Sequence, residues 1–243
     1  MIYTTQNGRV SSGEAIGILL LETSVPFIPG DVANATTYAF PVRFQKVKGY
    51  SVQRALSKDP SVYKDLREAA MTMVLQGVRA VTGDCGFMGI HQKKLARELG
   101  VPVFLSSLLQ IPFISALIGE DAKVGIVTAD SKRLDADLLA AVGVPDATNL
   151  VIGGLEDHQQ FYRFAIEETG ALDAEAVEKE VVDVARNMVA QDPQIRALLL
   201  ECSLLPPYGA AVQEALNLPV FDYITMINFV FSAVVKQRYI GFI

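Results

Sequence analysis

Both cysteines of this chain, the only two it has, stand at equivalent points of an internal duplication. The first copy reads Ala80-Val81-Thr82-Gly83-Asp84-Cys85, and Val101-Pro102-Val103-Phe104 begins sixteen residues after the cysteine. The second reads Ala197-Leu198-Leu199-Leu200-Glu201-Cys202, with Leu218-Pro219-Val220-Phe221 at the same distance. One separation of 117 residues relates the two, and Leu99 and Leu216 share it. A second echo, 108 residues apart, joins the run from Ile16-Gly17-Ile18 to Glu22 with that from Val124-Gly125-Ile126 to Asp130. Two like halves call for two like folding units. Equivalent cysteines then predict a pair of thiols facing each other across a pseudo-symmetric cleft.

Short apolar runs alternate with longer helical patterns, which argues parallel sheets with crossover helices. Ala15–Leu21 is continuously apolar, as a strand buried on both faces would be. Arg79–Thr82, Val101–Leu105, Lys123–Thr128, Leu150–Ile152, Ile195–Leu200 and Pro219–Phe221 read the same way. Tyr38–Val47 is a further β segment that Pro41 pushes to an edge. Leu66, Ala69, Ala70, Met73 and Val74 form one helical stripe, and Val177, Val181, Val184, Ala185 and Met188 another. Asp173 is the N-cap expected for the second, and Gly143 ends a helix through Ala141. The fold class is α/β in two pseudo-symmetric lobes, each a short, mostly parallel sheet flanked by helices. Residues 1–112 and 223–243 are expected to form the first lobe, with a returning helix near Ile224–Arg238, and residues 113–222 the second.

An apolar share of 51% and a mean hydropathy of +0.30 imply well-filled cores. The formal charge of −6 and pI near 5.0 argue against nucleic acid. The opening residues, from Met1 to Arg9, lack the order of a signal peptide, and the apolar stretch Val101–Ile118 is too interrupted to span a membrane. A cytoplasmic location with reduced thiols is the expectation. The sequence admits a homo-oligomer without specifying one. Two cysteines are too few for a disulfide scaffold or an all-cysteine zinc site, and two histidines too few for a histidine-rich metal centre.

Both cysteines follow predicted strands at their carboxyl ends, where parallel sheets bind ligands. A thiolate on one side of a carbon next to a carboxylate removes a proton, and a thiol on the other side delivers one, so the carbon is inverted without a cofactor. A free thiol titrates at about 8.5, so a modest downward shift gives a base near neutrality. Gly83-Asp84-Cys85-Gly86-Phe87 and Leu200-Glu201-Cys202-Ser203 resemble the paired cysteine segments of the aspartate/glutamate racemase superfamily. Pro29-Gly30-Asp31-Val32-Ala33-Asn34, Phe40-Pro41-Val42, Ser106-Ser107-Leu108 and Thr128-Ala129-Asp130 extend the likeness over nearly the whole chain.

The resemblance implies two α/β domains, an active site between them, no cofactor, and Cys85 and Cys202 as the acid/base pair. It predicts a racemase or epimerase acting on a small carboxylate such as aspartate, glutamate or a hydantoin. Amino-acid racemases of the group carry Asn-Thr after the first cysteine, whereas this chain carries Gly86-Phe87. With Pro207 and Tyr208 near the second cysteine, this predicts a less polar pocket, as in relatives acting on hydantoins or arylmalonates. A maleate-type cis-trans isomerase, a decarboxylase and a non-catalytic two-lobe binder of small acids are the alternatives.

Gly86, Phe87, Ser203 and Tyr208 beside the cysteines, with Asn34 and Ser106 at loop and strand ends, are the candidate substrate contacts. Asp84 and Glu201 either tune the thiols or cap loops, since neighbouring strand side chains point to opposite faces. Thr128 and Asp130 are expected to cap a helix over Ser131–Ala141. His91 is expected to be exposed and idle, and His158 to lie on a solvated surface.

Overall fold

The structure, a computed structural model, describes residues 2–4, 7–144 and 149–243. Met1, Thr5 and Gln6 of the opening segment lie outside the described residues. Two four-stranded parallel sheets form the molecule. The first contains β1 (Ile16–Leu20), β2 (Val42–Lys46), β3 (Ala80–Gly83) and β4 (Val103–Phe104), in the order β2-β1-β3-β4. The second contains β5 (Lys123–Thr128), β6 (Leu150–Gly154), β7 (Ile195–Leu200) and β8 (Val220–Phe221), in the order β6-β5-β7-β8. Strand for strand, the second sheet repeats the first. The register repeats too: Gly17 pairs with Val81 as Gly125 pairs with Leu198, and Thr82 with Phe104 as Leu199 with Phe221. The two sequence echoes are one structural equivalence seen on neighbouring strands.

The helices among the described residues are α1 (Val52–Leu56), α2 (Tyr63–Leu75), α3 (Gln92–Glu98), α4 (Ile111–Ile118), α5 (Ala136–Ala141), α6 (Gln159–Ala165), α7 (Ala174–Gln191), α8 (Gly209–Leu216) and α9 (Tyr223–Val234). The stripe on α2 buries Leu66, Ala69, Ala70 and Met73, while Val74 is half-buried. The stripe on α7 is buried throughout, and Asp173 caps its first turn by accepting from the Ala176 N–H at 3.0 Å. The helix predicted over Ser131–Ala141 starts later. Asp135 caps α5 by accepting from the Leu138 N–H, and Asp130 holds a separate turn through the Lys132 and Arg133 N–H groups. The returning helix α9 ends at Val234 rather than near Arg238. It lies on the first sheet with Tyr223, Met226 and Ile227 in a core shared with Ile16, Ile18 and Ala80.

One core cluster joins the sheets. Leu56, Phe87, Leu108 and Ile111 pack with Val124, Ile126, Ala197 and Leu199. Polar ties reinforce that joint: the Ser107 hydroxyl donates to the Glu201 carbonyl at 2.9 Å, the Ser203 hydroxyl to the Asp84 carbonyl, and the Val32 N–H to the Ser203 carbonyl at 3.4 Å. Gly30, at φ 100°, sets its loop so close that an added β-carbon would meet the Pro207 Cα at 3.0 Å. No helix among the described residues is long and apolar enough to cross a membrane.

Candidate active site

Parallel strands end together, so each sheet presents the residues just past its strands as one rim. The rims of the two sheets face each other. Asp84 and Cys85 follow β3, Glu201 and Cys202 follow β7, and Leu21 and Ala129 follow the central strands β1 and β5. Both cysteines are free and half-buried, and both line the same cavity. Its volume is about 50 Å³, a few times the roughly 10–15 Å³ that one water needs. Only a small molecule fits.

The walls are mostly apolar, with Leu21, Val25, Phe27, Val52, Leu56 and Phe87 from the first half of the sequence and Ala129, Ala165, Ile166 and Leu204 from the second. Thr23, Asp84, Glu201 and Ser203 complete them with Gly86, and no Lys, Arg or His lines the cavity among the described residues. The Thr23 hydroxyl donates to Glu168, and the Ser24 N–H reaches the same carboxylate at 3.0 Å, so the loop after β1 is tied to the second half. No α-helix begins directly at either cysteine. A 3₁₀ turn, Gly86–His91, separates Cys85 from α3, and another, Pro206–Tyr208, precedes α8. Among the described residues no group of three or more His, Cys, Asp or Glu is placed to hold a metal ion.

Burial governs the electrostatics. It pushes the Cys85 thiol far above its ordinary range, with Glu201 and then Asp84 adding to the rise and the Phe87 and Met88 N–H groups opposing it. Cys202 is raised for the same first reason, then by Glu201, against the Leu204 N–H. The expected downward shift is therefore overturned. Desolvation of a thiolate in an apolar cleft, beside carboxyls and without a cation, outweighs the backbone donors. The carboxyls respond likewise. Burial lifts Asp84 to about 8, Glu201 to about 7 and Asp31 to about 7.

Asp84 and Glu201 are both buried and both hold strand ends. Asp84 accepts from the Leu21 N–H at 3.0 and 3.2 Å through its two oxygens. Glu201 Oε2 accepts from the Thr128 hydroxyl at 2.8 Å. Its Oε1 has no hydrogen-bond partner and lies against Gly86, where an added β-carbon would overlap it. The glycine after Cys85 is thus the clearance for the carboxyl before Cys202.

Of the candidate residues, Cys85, Gly86, Phe87, Cys202 and Ser203 line the cavity. Asn34, Ser106 and Tyr208 do not line it. Asn34 accepts from the Thr36 N–H and donates to the Phe27 carbonyl, Ser106 accepts from the Leu108 N–H, and Tyr208 is buried in the core of the second half. The Ser203 hydroxyl is engaged with Asp84. His91 is buried rather than exposed. It packs by Tyr50 and Tyr63, and burial lowers it to about 4. His158 is half-buried at the start of α6. The walls from α1, α6 and the loops after β1 and β5 were missed. The Gly17–Gly125 echo carries the signal for two of them, since it aligns Leu21 with Ala129.

No protein-family model matches the chain. It is similar to dimethylsulfoniopropionate lyase 5 of Emiliania huxleyi, 34% identical over 229 residues that cover 90% of this chain and 45% of that protein. It is also similar to a dimethylsulfoniopropionate lyase of Durusdinium sp. clade D, 31% identical over 234 residues, 93% of this chain and 77% of that one. The chain thus spans about half the length of the first relative and three quarters of the second. Its fold matches allantoin racemase from Pseudomonas fluorescens with a TM-score of 0.60 at 17% identity, covering 93% of this chain and all of the other. It matches unliganded arylmalonate decarboxylase with a TM-score of 0.58 at 16% identity, covering 93% and 94%.

Proposed function

The chain belongs to the dimethylsulfoniopropionate lyase family, an enzyme family on the aspartate/glutamate racemase fold, and from that premise we propose that it cleaves dimethylsulfoniopropionate to dimethyl sulfide and acrylate. The observation that carries this reading is a small apolar cavity walled by both cysteines and by carboxyls, with no cationic side chain among the described residues that line it.

The substrate is a propionate with a dimethylsulfonium on its β-carbon. A cysteine thiolate takes the proton from the carbon next to the carboxylate. The electron pair left behind forms the carbon–carbon double bond, and the pair of the carbon–sulfur bond departs with dimethyl sulfide. The first step is the one a racemase makes. The outcome differs because a leaving group on the next carbon drains the carbanion before a second proton arrives. The second cysteine, across the cavity, then shields and orients rather than reprotonating.

Three features support a sulfonium carboxylate. The apolar walls suit two methyl groups, and the volume suits a molecule of this size. An arriving cation also favours a thiolate that burial alone suppresses, so the base is generated when substrate is present. With no Lys or Arg among the described residues of the walls, the substrate carboxylate is left to the backbone N–H groups of the turns after Cys85 and Cys202.

The test is direct. Incubation with dimethylsulfoniopropionate should release dimethyl sulfide and acrylate in equal amounts, read by headspace analysis and proton resonance. Absence of dimethyl sulfide, with deuterium entering the α-position of an amino acid or hydantoin in heavy water, would return the chain to the racemase reading.

A further inference from the structure

Taking the lyase reading as its basis, we propose that Glu201 is the group that holds the cationic end of the substrate, with its free Oε1 as the counter-charge. Glu201 is fully buried, lines the cavity, and stands next to Cys202 in the chain. Of the two carboxyls in the wall, Asp84 already spends both oxygens on the Leu21 N–H. Glu201 spends only Oε2, on Thr128. Its Oε1 is the unpartnered carboxyl oxygen, and it sits in the space that the missing side chain of Gly86 leaves.

A buried acceptor without a partner is costly to maintain, and a buried carboxylate without a cation more so. Burial accordingly keeps Glu201 partly neutral near pH 7. A sulfonium has no hydrogen to donate, so what it requires is a negative charge in a dry site lined by apolar groups. Glu201 supplies that charge when it ionises against the arriving cation. Elimination then neutralises the sulfonium and leaves the α-proton on the cysteine. With its cation gone, Glu201 takes a proton back from solvent, while the α-proton stays on the cysteine, whose thiol holds protons more tightly than the carboxyl. Substrate binding releases one proton from Glu201 and one from the base cysteine to solvent. Elimination returns one to the cysteine and product departure returns one to Glu201, so each turnover sheds the single proton that dimethylsulfoniopropionate loses on becoming dimethyl sulfide and acrylate.

Two ligands that cannot undergo the reaction readily test this. 3-(Trimethylammonio)propanoate carries the cation, and 4,4-dimethylpentanoate is the carbon isostere that keeps the carboxylate and lacks the cation. Calorimetry on the wild-type chain should show the cationic ligand bound at least about tenfold more tightly. Glu201→Gln should bring the two affinities together while leaving that of the isostere unchanged. Should Glu201→Gln fail to fold, Glu201→Asp keeps the charge and shortens its reach, and an intermediate preference is expected. Equal affinities in the wild type, or a preference that survives Glu201→Gln, would overturn the assignment. Assays of dimethyl sulfide on the same preparations separate the two claims. A chain that prefers the cation through Glu201 yet releases no dimethyl sulfide keeps this assignment and loses the lyase reading. One that releases dimethyl sulfide with no preference for the cation does the reverse.

Discussion

At Cys85 and Cys202 the chemistry depends on what an apolar cleft does to a thiol. Both are raised by burial and then by Glu201, so the resting enzyme holds little thiolate at neutral pH. Because kcat/KM reports the free enzyme, its log should climb with pH past the ordinary thiol value of about 8.5 instead of levelling there. Initial rates of dimethyl sulfide release between pH 6 and 10 check this, and a plateau by pH 8 counts against it. Of Cys85→Ser and Cys202→Ser, the variant that removes the base should lower turnover of folded protein by roughly 10²–10⁴-fold, the usual contribution of a positioned acid or base, and the variant that removes the shielding cysteine should cost less. Gly86→Ala places a methyl group where Glu201 Oε1 sits. It should destabilise the fold by about 1–3 kcal/mol and depress activity, while a variant that melts and turns over like wild type would show the clearance to be idle. The cysteines were legible because two residues of a rare type repeat one context. Asn34, Ser106 and Tyr208 misled because polar side chains near a strand end serve turns and cores as readily as ligands.

Among the elements, strands and long helices were legible and junctions were not. Lys123–Thr128 and Ile195–Leu200 coincide with β5 and β7 because a strand covered on both faces is apolar along its buried stretch, here Val124–Val127 and Ala197–Leu200. The α7 stripe and its Asp173 cap were readable because both obey local rules. The start of α5 was not, since Asp130 and Asp135 are equally good caps and only tertiary packing selects between them. Helical starts after both cysteines, near Phe87–Ile90 and Pro206–Tyr208, were legible from the sequence, but not that each opens as a 3₁₀ turn before its α-helix. A cap far from the cavity separates stability from function. Asp173→Ala should cost about 1 kcal/mol in urea unfolding with kcat unchanged. A loss of turnover with unchanged unfolding would mean that α7 communicates with the site.

For the molecule as a whole, three buried carboxyls at or near the joint between the sheets make stability depend on pH in an unusual direction. Asp84 is raised to about 8, Glu201 to about 7 and Asp31 to about 7, in each case first by burial. In the unfolded chain such groups ionise near 4. Between about pH 4 and 8 the unfolded chain therefore binds fewer protons than the folded one, and stability falls as pH rises. The contribution is complete below the unfolded values and is lost as pH passes through the folded ones. Surface carboxylates act in a different window. Asp59, held down to about 2 by Arg54, and Asp192, lowered by Lys123, favour the fold above about pH 4 and lose their effect only in stronger acid. The two trends meet in mild acid. The melting temperature should peak near pH 5 and decline steadily toward pH 8, and Glu201→Gln, which removes one of the three ionisations, should flatten the decline. 3-(Trimethylammonio)propanoate should raise the melting temperature of the wild type more at pH 8 than at pH 5, since Glu201 is charged at the higher pH and must still ionise at the lower. A melting temperature that holds level or rises from pH 5 to 8 would mean that these carboxyls are solvated in the folded protein, and the dry cleft on which the cation assignment depends would be gone.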